Sequence, residues 1–330
     1  MTVKNWLRKK SLHFLSRNFT SHILLYHSCF SEVPADLGDD IHNVRPANLY
    51  KQLTWYKKYY DIVSLQEWIN TKNRRGLVAV TFDDAYKSVF DEGVNVLESL
   101  NIPATVFIIG STLEGKIFWR DKIRYFESKG LAAEFIRFLN DKNLLEEEIR
   151  SGDFYKMSKN SAFAETLSNE ELDREMDHFL EKKGLAEHLI NYCVETKYDI
   201  IDHPLITYGN HTYHHYLLST LSFEEQKKDL FRSHQLIKKI VNNRFINIFS
   251  VPFGGMNAFD SNTIKVCKEL EVEALLLSSN SVNGITGLNN REGIAIADRY
   301  MVPDDLELMV DKIERMTYNR FKKYKFSTRN

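Results

Sequence analysis

"LVAVTFDDAYKSVF", residues 77–90, runs from an apolar stretch, Leu77 to Phe82, straight into two adjacent aspartates, Asp83 and Asp84. A short apolar run without polar alternation fits a strand buried on both faces, as in a parallel sheet. Two carboxylates at its exit repel each other, so their pairing needs a reason. Neighbouring strand residues point to opposite sides, which lets one carboxylate bind a cation while the other takes a proton from water that the cation polarises. The plainer alternative is that an aspartate caps the next helix.

The same rhythm recurs on either side. "HILLYH" (22–27), "YDIVSL" (60–65), "ATVFIIG" (104–110), "LITYG" (205–209), "INIFSVPFG" (246–254), "EALLLS" (273–278) and "GIAIADRY" (293–300) read as strands, separated by helix-period segments such as "PANLYKQLTWYKKYY". This alternation predicts an α/β fold built as a (β/α) barrel. Residues 113–200 break it: they carry helical spacing and many charges but no strand-like run, which predicts a helical insertion between two strands. The division expected is a basic amphipathic segment (1–20), a first barrel part (21–112), the insertion (113–202), a second barrel part (203–305) and a basic C-terminal helix or tail (306–330).

The 330 residues, 43% hydrophobic and 27% charged with a net charge of -1, suit a soluble globular chain. Both ends are basic, and residues 1–19 contain no acidic side chain. With Trp6, Leu7, Leu12, Phe14, Leu15 and Phe19, that first stretch has the make-up of a segment lying on an anionic membrane surface or packing on the barrel. Cys29, Cys193 and Cys267 are scattered and form no C-x-x-C pair, which fits a reducing compartment. No continuous apolar core of a signal peptide is present near the start. The expected location is the cytoplasm, at the inner face of the membrane if the basic segment binds it. Nucleic-acid binding is not expected, because the basic segments are terminal and accompany no recognised motif.

Chemistry collects in two further places. "GNHTYHH" holds His211 and His215 four residues apart, a spacing that brings two imidazoles to one face of a helical turn and permits a shared metal ion. Position 212 is threonine, so the H-E-x-x-H zinc-protease pattern is excluded. A carboxylate from the first cluster would complete a two-histidine, one-carboxylate site. Thr212 either contacts the ligand or caps the turn. "FSVPFGG" ends in Pro252, Phe253, Gly254 and Gly255, either an ordinary strand exit or an apolar wall against a ligand.

The order TFDD, HTYHH, VPFG resembles the polysaccharide deacetylase family, carbohydrate esterase family four, with the chitooligosaccharide deacetylase homology domain. "ILLYHS", "NIPATVFIIG" and "IADRYMV" extend the likeness over roughly residues 22–110 and 203–305. The resemblance implies a distorted, commonly seven-stranded (β/α) barrel that removes acetyl groups from N-acetylated saccharides with a divalent metal. Zinc comes first, with cobalt, nickel or manganese also compatible with such ligands. It implies Asp83 as catalytic base, Asp84, His211 and His215 as metal ligands, and a backbone amide near Tyr86 as an oxyanion donor. Tyr86, Thr212, Pro252, Phe253 and Gly254 are the implied substrate contacts.

The chain departs from the family pattern twice. Ser250 stands where many members carry an arginine that holds the base, and Arg299 is the replacement expected, the alternative being a surface ion pair near Asp298. No histidine follows His234, so the late general acid is missing and His27, at the end of the first strand, is the expected substitute. His42 and the other histidines stand in no constellation. Two other functions stay open: a non-catalytic saccharide-binding barrel, and a hydrolase of another acyl amide such as a formamide.

Overall fold

A computed structural model describes residues 16–38, 41–145, 167–197 and 199–327, the side chains of the last helix only as far as Lys322. The N-terminal residues expected to face a membrane, Phe19 excepted, lie outside the described residues; Phe19 itself meets Phe321 of the C-terminal helix edge-on at 5.5 Å. Among the described residues no helix is long and apolar enough to cross a membrane.

The strands are β1 (Thr20–Tyr26), β2 (Asp61–Ile62), β3 (Leu77–Phe82), β4 (Ala104–Ile108), β5 (Ile206–Asn210), β6 (Phe245–Ser250), β7 (Ala274–Leu277), β8 (Asn283–Gly284), β9 (Asn289–Arg291), β10 (Ile294–Asp298) and β11 (Tyr300–Met301). They form one curled sheet in the order β11-β1-β3-β4-β5-β6-β7-β10-β9, with β2 on β3 and β8 on β1. From β1 to β10 every pairing is parallel, which gives the expected seven-stranded set. Val78, Ala79, Val80 and Phe82 are all buried, because helices cover the outer face and side chains fill the inner one. Of "YDIVSL", only Asp61 and Ile62 enter the sheet.

One stretch of chain joins the two edges of this sheet. β10 pairs with β7, and β11, beginning two residues after β10 ends, pairs with β1. Between them the Arg299 amide donates to the Leu277 carbonyl (2.9 Å), and just beyond them the Val302 amide donates to that of Leu25 (3.1 Å). Arg299 therefore sits on the seam of the barrel.

Sharp helix starts are written locally. Ser168 with Glu171, Ser222 with Glu225 and Asp260 with Thr263 each form a capping box, and Pro46 opens the helix Pro46–Tyr59. Between β4 and β5 the described chain is helical: Trp119–Ser128, Ala132–Asp141 and Asn169–Lys183. Phe126, Phe135 and Phe179 pack there with ring centroids 4.8–5.4 Å apart, in one cluster with the barrel core. Lys122 ties the first of these helices to the last through Asp173 (2.7 Å) and Asp177 (2.5 Å). The returning chain then lies beside the residues after the aspartate pair, the Val194 amide donating to the Ala85 carbonyl and the Lys87 amide to that of Tyr192.

Gly209 in β5 is a sensitive point. A Cβ there would stand 2.4 Å from the Phe107 ring and 2.9 Å from the Ile248 carbonyl oxygen, so neighbours on two strands would have to move. Gly209→Ala is expected to destabilise the fold by roughly 1–3 kcal/mol, read as a lower urea midpoint at unchanged slope.

Candidate active site

Parallel strands deliver their carboxyl ends to one face, and the candidate residues leave from those ends. His27 follows β1, Asp83 follows β3, His211 follows β5, Val251 follows β6, Ser278 follows β7 and Arg299 follows β10. A cavity of about 380 Å³ opens there, lined among others by His27, His42, Asp83, Asp84, Arg120, Arg124, His211, His215 and Phe253.

Asp83 accepts three side-chain hydrogen bonds from two residues. Arg299 grips it with two parallel bonds, Nη1 to Oδ1 and Nη2 to Oδ2, both 2.7 Å. The Ser250 hydroxyl accepts from Arg299 Nη2 (2.7 Å) and donates to Asp83 Oδ2 (3.0 Å). Arg299 is fully buried, so the alternative of a surface ion pair with Asp298 is wrong: the seam points its side chain inward. A serine at 250 leaves room for this guanidinium, which explains why the usual arginine is absent there. Burial alone would raise the Asp83 pKa, but the Arg299 charge and hydrogen bonds outweigh it and hold the carboxyl below its ordinary value.

Asp84 has a different environment. Its Oδ1 lies 3.4 Å from His211 Nε2 and 3.7 Å from His215 Nε2, buried and without a hydrogen bond. The Nδ1 of His211 is 2.8 Å from the Ser250 carbonyl oxygen, which only accepts, so the ring's proton sits on Nδ1 and a lone pair faces Asp84. Two acceptors facing each other in a buried site call for a cation between them. One ligand atom from each of Asp84, His211 and His215 lies within 4.8 Å of the others. Ligands bound tetrahedrally at about 2.0–2.1 Å stand roughly 3.4 Å apart, so the donor set fits a divalent metal such as zinc.

The backbone that brings these groups together is not the regular structure the spacing suggests. His211 and His215 do not lie on a helical turn; Thr212 (φ 66°) and His215 (φ 61°) are left-handed, and the Thr212 hydroxyl accepts from the His215 amide at 2.8 Å. Thr212 thus caps the turn and is fully buried, not in the cavity wall. Asp84 (φ 67°) and Ala85 (φ 56°) are left-handed too, so that turn, not strand alternation, separates the two carboxylates. With Phe253 (φ 59°), five of the eleven non-glycine residues of positive φ among the described residues stand in the three motif loops. Each such conformation costs about 1–3 kcal/mol and persists only where packing enforces it.

Phe253 forms the apolar wall, its ring centroid 5.2 Å from that of His215. Gly254 (φ +61°) is structural, since a Cβ would collide with Ser278. Pro252 and Tyr86 are not among the residues lining the cavity; the Tyr86 hydroxyl is committed to Asp121 at 2.7 Å. His214 turns away to Asp229 at 3.0 Å.

Two contributions escape the sequence reading. The helix Trp119–Ser128 supplies Arg120 and Arg124 to the cavity, and Trp119 Nε1 donates to the His215 carbonyl at 3.2 Å. Its signal is "WRDKIR", four charged residues that end up buried together and resemble a solvated helix face in sequence. His42, set aside as isolated, is instead against His27: their Nδ1 atoms are 3.1 Å apart.

Fold and site together define a (β/α) barrel with a buried aspartate clamped by arginine beside an Asp/His/His cluster that could hold a metal ion. The family model described as polysaccharide deacetylase matches residues 70–178 and 187–275, and the chain belongs to that family. The match runs into the helices after β4. Among solved structures, the Streptococcus pyogenes deacetylase PplD, in complex with acetate, is 14% identical, covering 90% of this chain and 98% of its own at a TM-score of 0.53. IcaB from Ammonifex degensii is 16% identical over 90% of this chain and 98% of its own, at 0.52. At such identities the likeness concerns the fold. Comparison with curated protein sequences finds no match.

Two outcomes are expected. Arg299→Met strands the Asp83 charge and should cost about 3–5 kcal/mol in chemical denaturation, largely recovered in the Arg299→Met/Asp83→Asn double variant. Stripped protein should take up one equivalent of zinc by calorimetry; His211→Ala and His215→Ala should weaken this at least tenfold, whereas Asp83→Asn should retain it.

Proposed function

We propose that this protein is a metal-dependent hydrolase that removes the N-acetyl group from a saccharide, with Asp83 as general base and His27 as general acid. The observation that carries the reading is the pairing of an arginine-clamped carboxylate with a ligand cluster one residue away. The chemistry a divalent cation held by Asp84, His211 and His215 would supply is Lewis acidity, making water nucleophilic near neutral pH and offsetting charge on the amide oxygen.

The remaining work falls to the side chains. Asp83 Oδ1 accepts one bond from Arg299, which leaves it a lone pair for a proton of the attacking water. Arg299 and Ser250 keep that carboxylate ionised and fixed while it waits. Phe253 presents an apolar surface to the acyl methyl, and His27 gives the departing nitrogen its proton.

The test is acetate release from a panel of N-acetylated saccharides, with single metals restored to stripped protein. Asp83→Asn should lower kcat by about 10²- to 10⁴-fold with metal uptake intact. Metal uptake without acetate release from any saccharide would sink the reading in favour of another acyl group or a binding role.

A further inference from the structure

His27 and His42 enter the cavity from separate segments, the first at the end of β1 and the second from the loop before the helix Pro46–Tyr59. Their rings meet edge to face, centroids 5.0 Å apart at 79°. Two Nδ1 atoms 3.1 Å apart share one hydrogen bond, so one ring donates and the other accepts. The surroundings of His42 break the tie: the Val302 backbone beside it favours a proton on its ring. We take Nε2, the ring nitrogen not engaged with His27, to carry the hydrogen of neutral His42, which leaves its Nδ1 a lone pair. Val302 is itself fixed to the seam through the Leu25 carbonyl. Burial lowers the pKa of His42 to about 3, which keeps that ring neutral as an acceptor.

We propose that His42 is a positioning residue for His27: it accepts the Nδ1 proton of His27 and confines the acid–base work of that ring to Nε2. The proposal rests on the deacetylase reading. Water adds to the acyl carbon and gives a proton to Asp83; the C–N bond then breaks as His27 Nε2 passes its proton to the leaving nitrogen, giving acetate and amine. His27 returns to the neutral form with Nδ1–H still bonded to His42, and Nε2 is reprotonated from solvent or Asp83. His42 keeps its own proton throughout. It does for His27 what a carboxylate does for the histidine of a hydrolase triad, without adding a negative charge beside Asp83 and Asp84.

The experiment compares an N-acetylated saccharide with 4-nitrophenyl acetate, whose phenolate leaves without needing a proton, in the parent, His27→Ala, His42→Ala and His42→Asn. Asparagine places an acceptor oxygen near the position of Nδ1. His42→Ala should lower amide kcat roughly 10- to 100-fold with KM nearly unchanged, leave ester turnover within about twofold of the parent, and be largely rescued by His42→Asn. Equal loss of amide and ester turnover, or an unchanged amide kcat, would overturn the proposal. A second readout needs no turnover: in metal-free protein labelled with ¹⁵N-histidine, the His27 Nδ1–H resonance should vanish in His42→Ala and persist in His42→Asn. An Nδ1–H resonance that His42→Ala does not alter would overturn it as well. A parent that releases no acetate defeats the deacetylase reading alone, since the resonance still decides the histidine pair.

Discussion

The buried pair of Asp83 and Arg299 is the constraint on which the rest of the structure turns. Taking a carboxylate and a guanidinium out of water costs several kcal/mol per ion, and only near-ideal geometry with the remaining donors satisfied offsets that. Here the guanidinium has two bonds to Asp83, one to Ser250, one to Thr81 and one to the Leu277 carbonyl. These partners come from β3, β6 and β7, while Arg299 itself stands between β10 and β11. A single side chain thus bonds three strand ends across the seam where the two sheet edges meet. Barrel closure and the orientation of Asp83 are one interaction.

This arrangement gives Asp83 an arginine partner although the chain departs from its family's pattern at 250. What Asp83 requires is a cation at bonding distance, and an arginine on any neighbouring strand end can provide it if the space is open. Ser250 opens the space and adds a hydroxyl bridge. The end of β1 likewise brings an imidazole, His27, into the same cavity.

Much of this was legible in the sequence because it depends on local pattern. Apolar runs of strand length fixed where chain ends converge, so residues placed just after them, His27, Asp83, His211 and Arg299, could be assigned to one face before any coordinates. What was not legible depends on packing between distant segments. Nothing local in "DDIHNVRP" places His42 beside His27, fifteen positions earlier. The charged run "WRDKIR" looks solvated, but its residues are buried, with Lys122 held by Asp173 of the helix Asn169–Lys183 and Asp121 by Tyr86. The left-handed turns at Asp84, Thr212 and His215 were hidden for a related reason: aspartate and histidine tolerate that conformation more readily than most side chains and threonine hardly at all, but in each case tertiary contacts impose it.

The two adjacent aspartates are therefore neutralised by two different kinds of partner. Asp83 faces a permanent charge that belongs to the fold, which no change of metal supply can remove. Asp84 faces imidazole nitrogens, a set of ligand atoms that could hold a divalent cation. Reversing the assignment would fail chemically. A base ligated to the cation would have its lone pairs occupied, and a ligand clamped by arginine would repel the cation it should bind. Placing them one residue apart, with a left-handed turn between, lets one strand end carry both a fixed and an exchangeable charge balance. The arginine-clamped carboxylate and the candidate metal cluster thereby share a cavity without sharing partners.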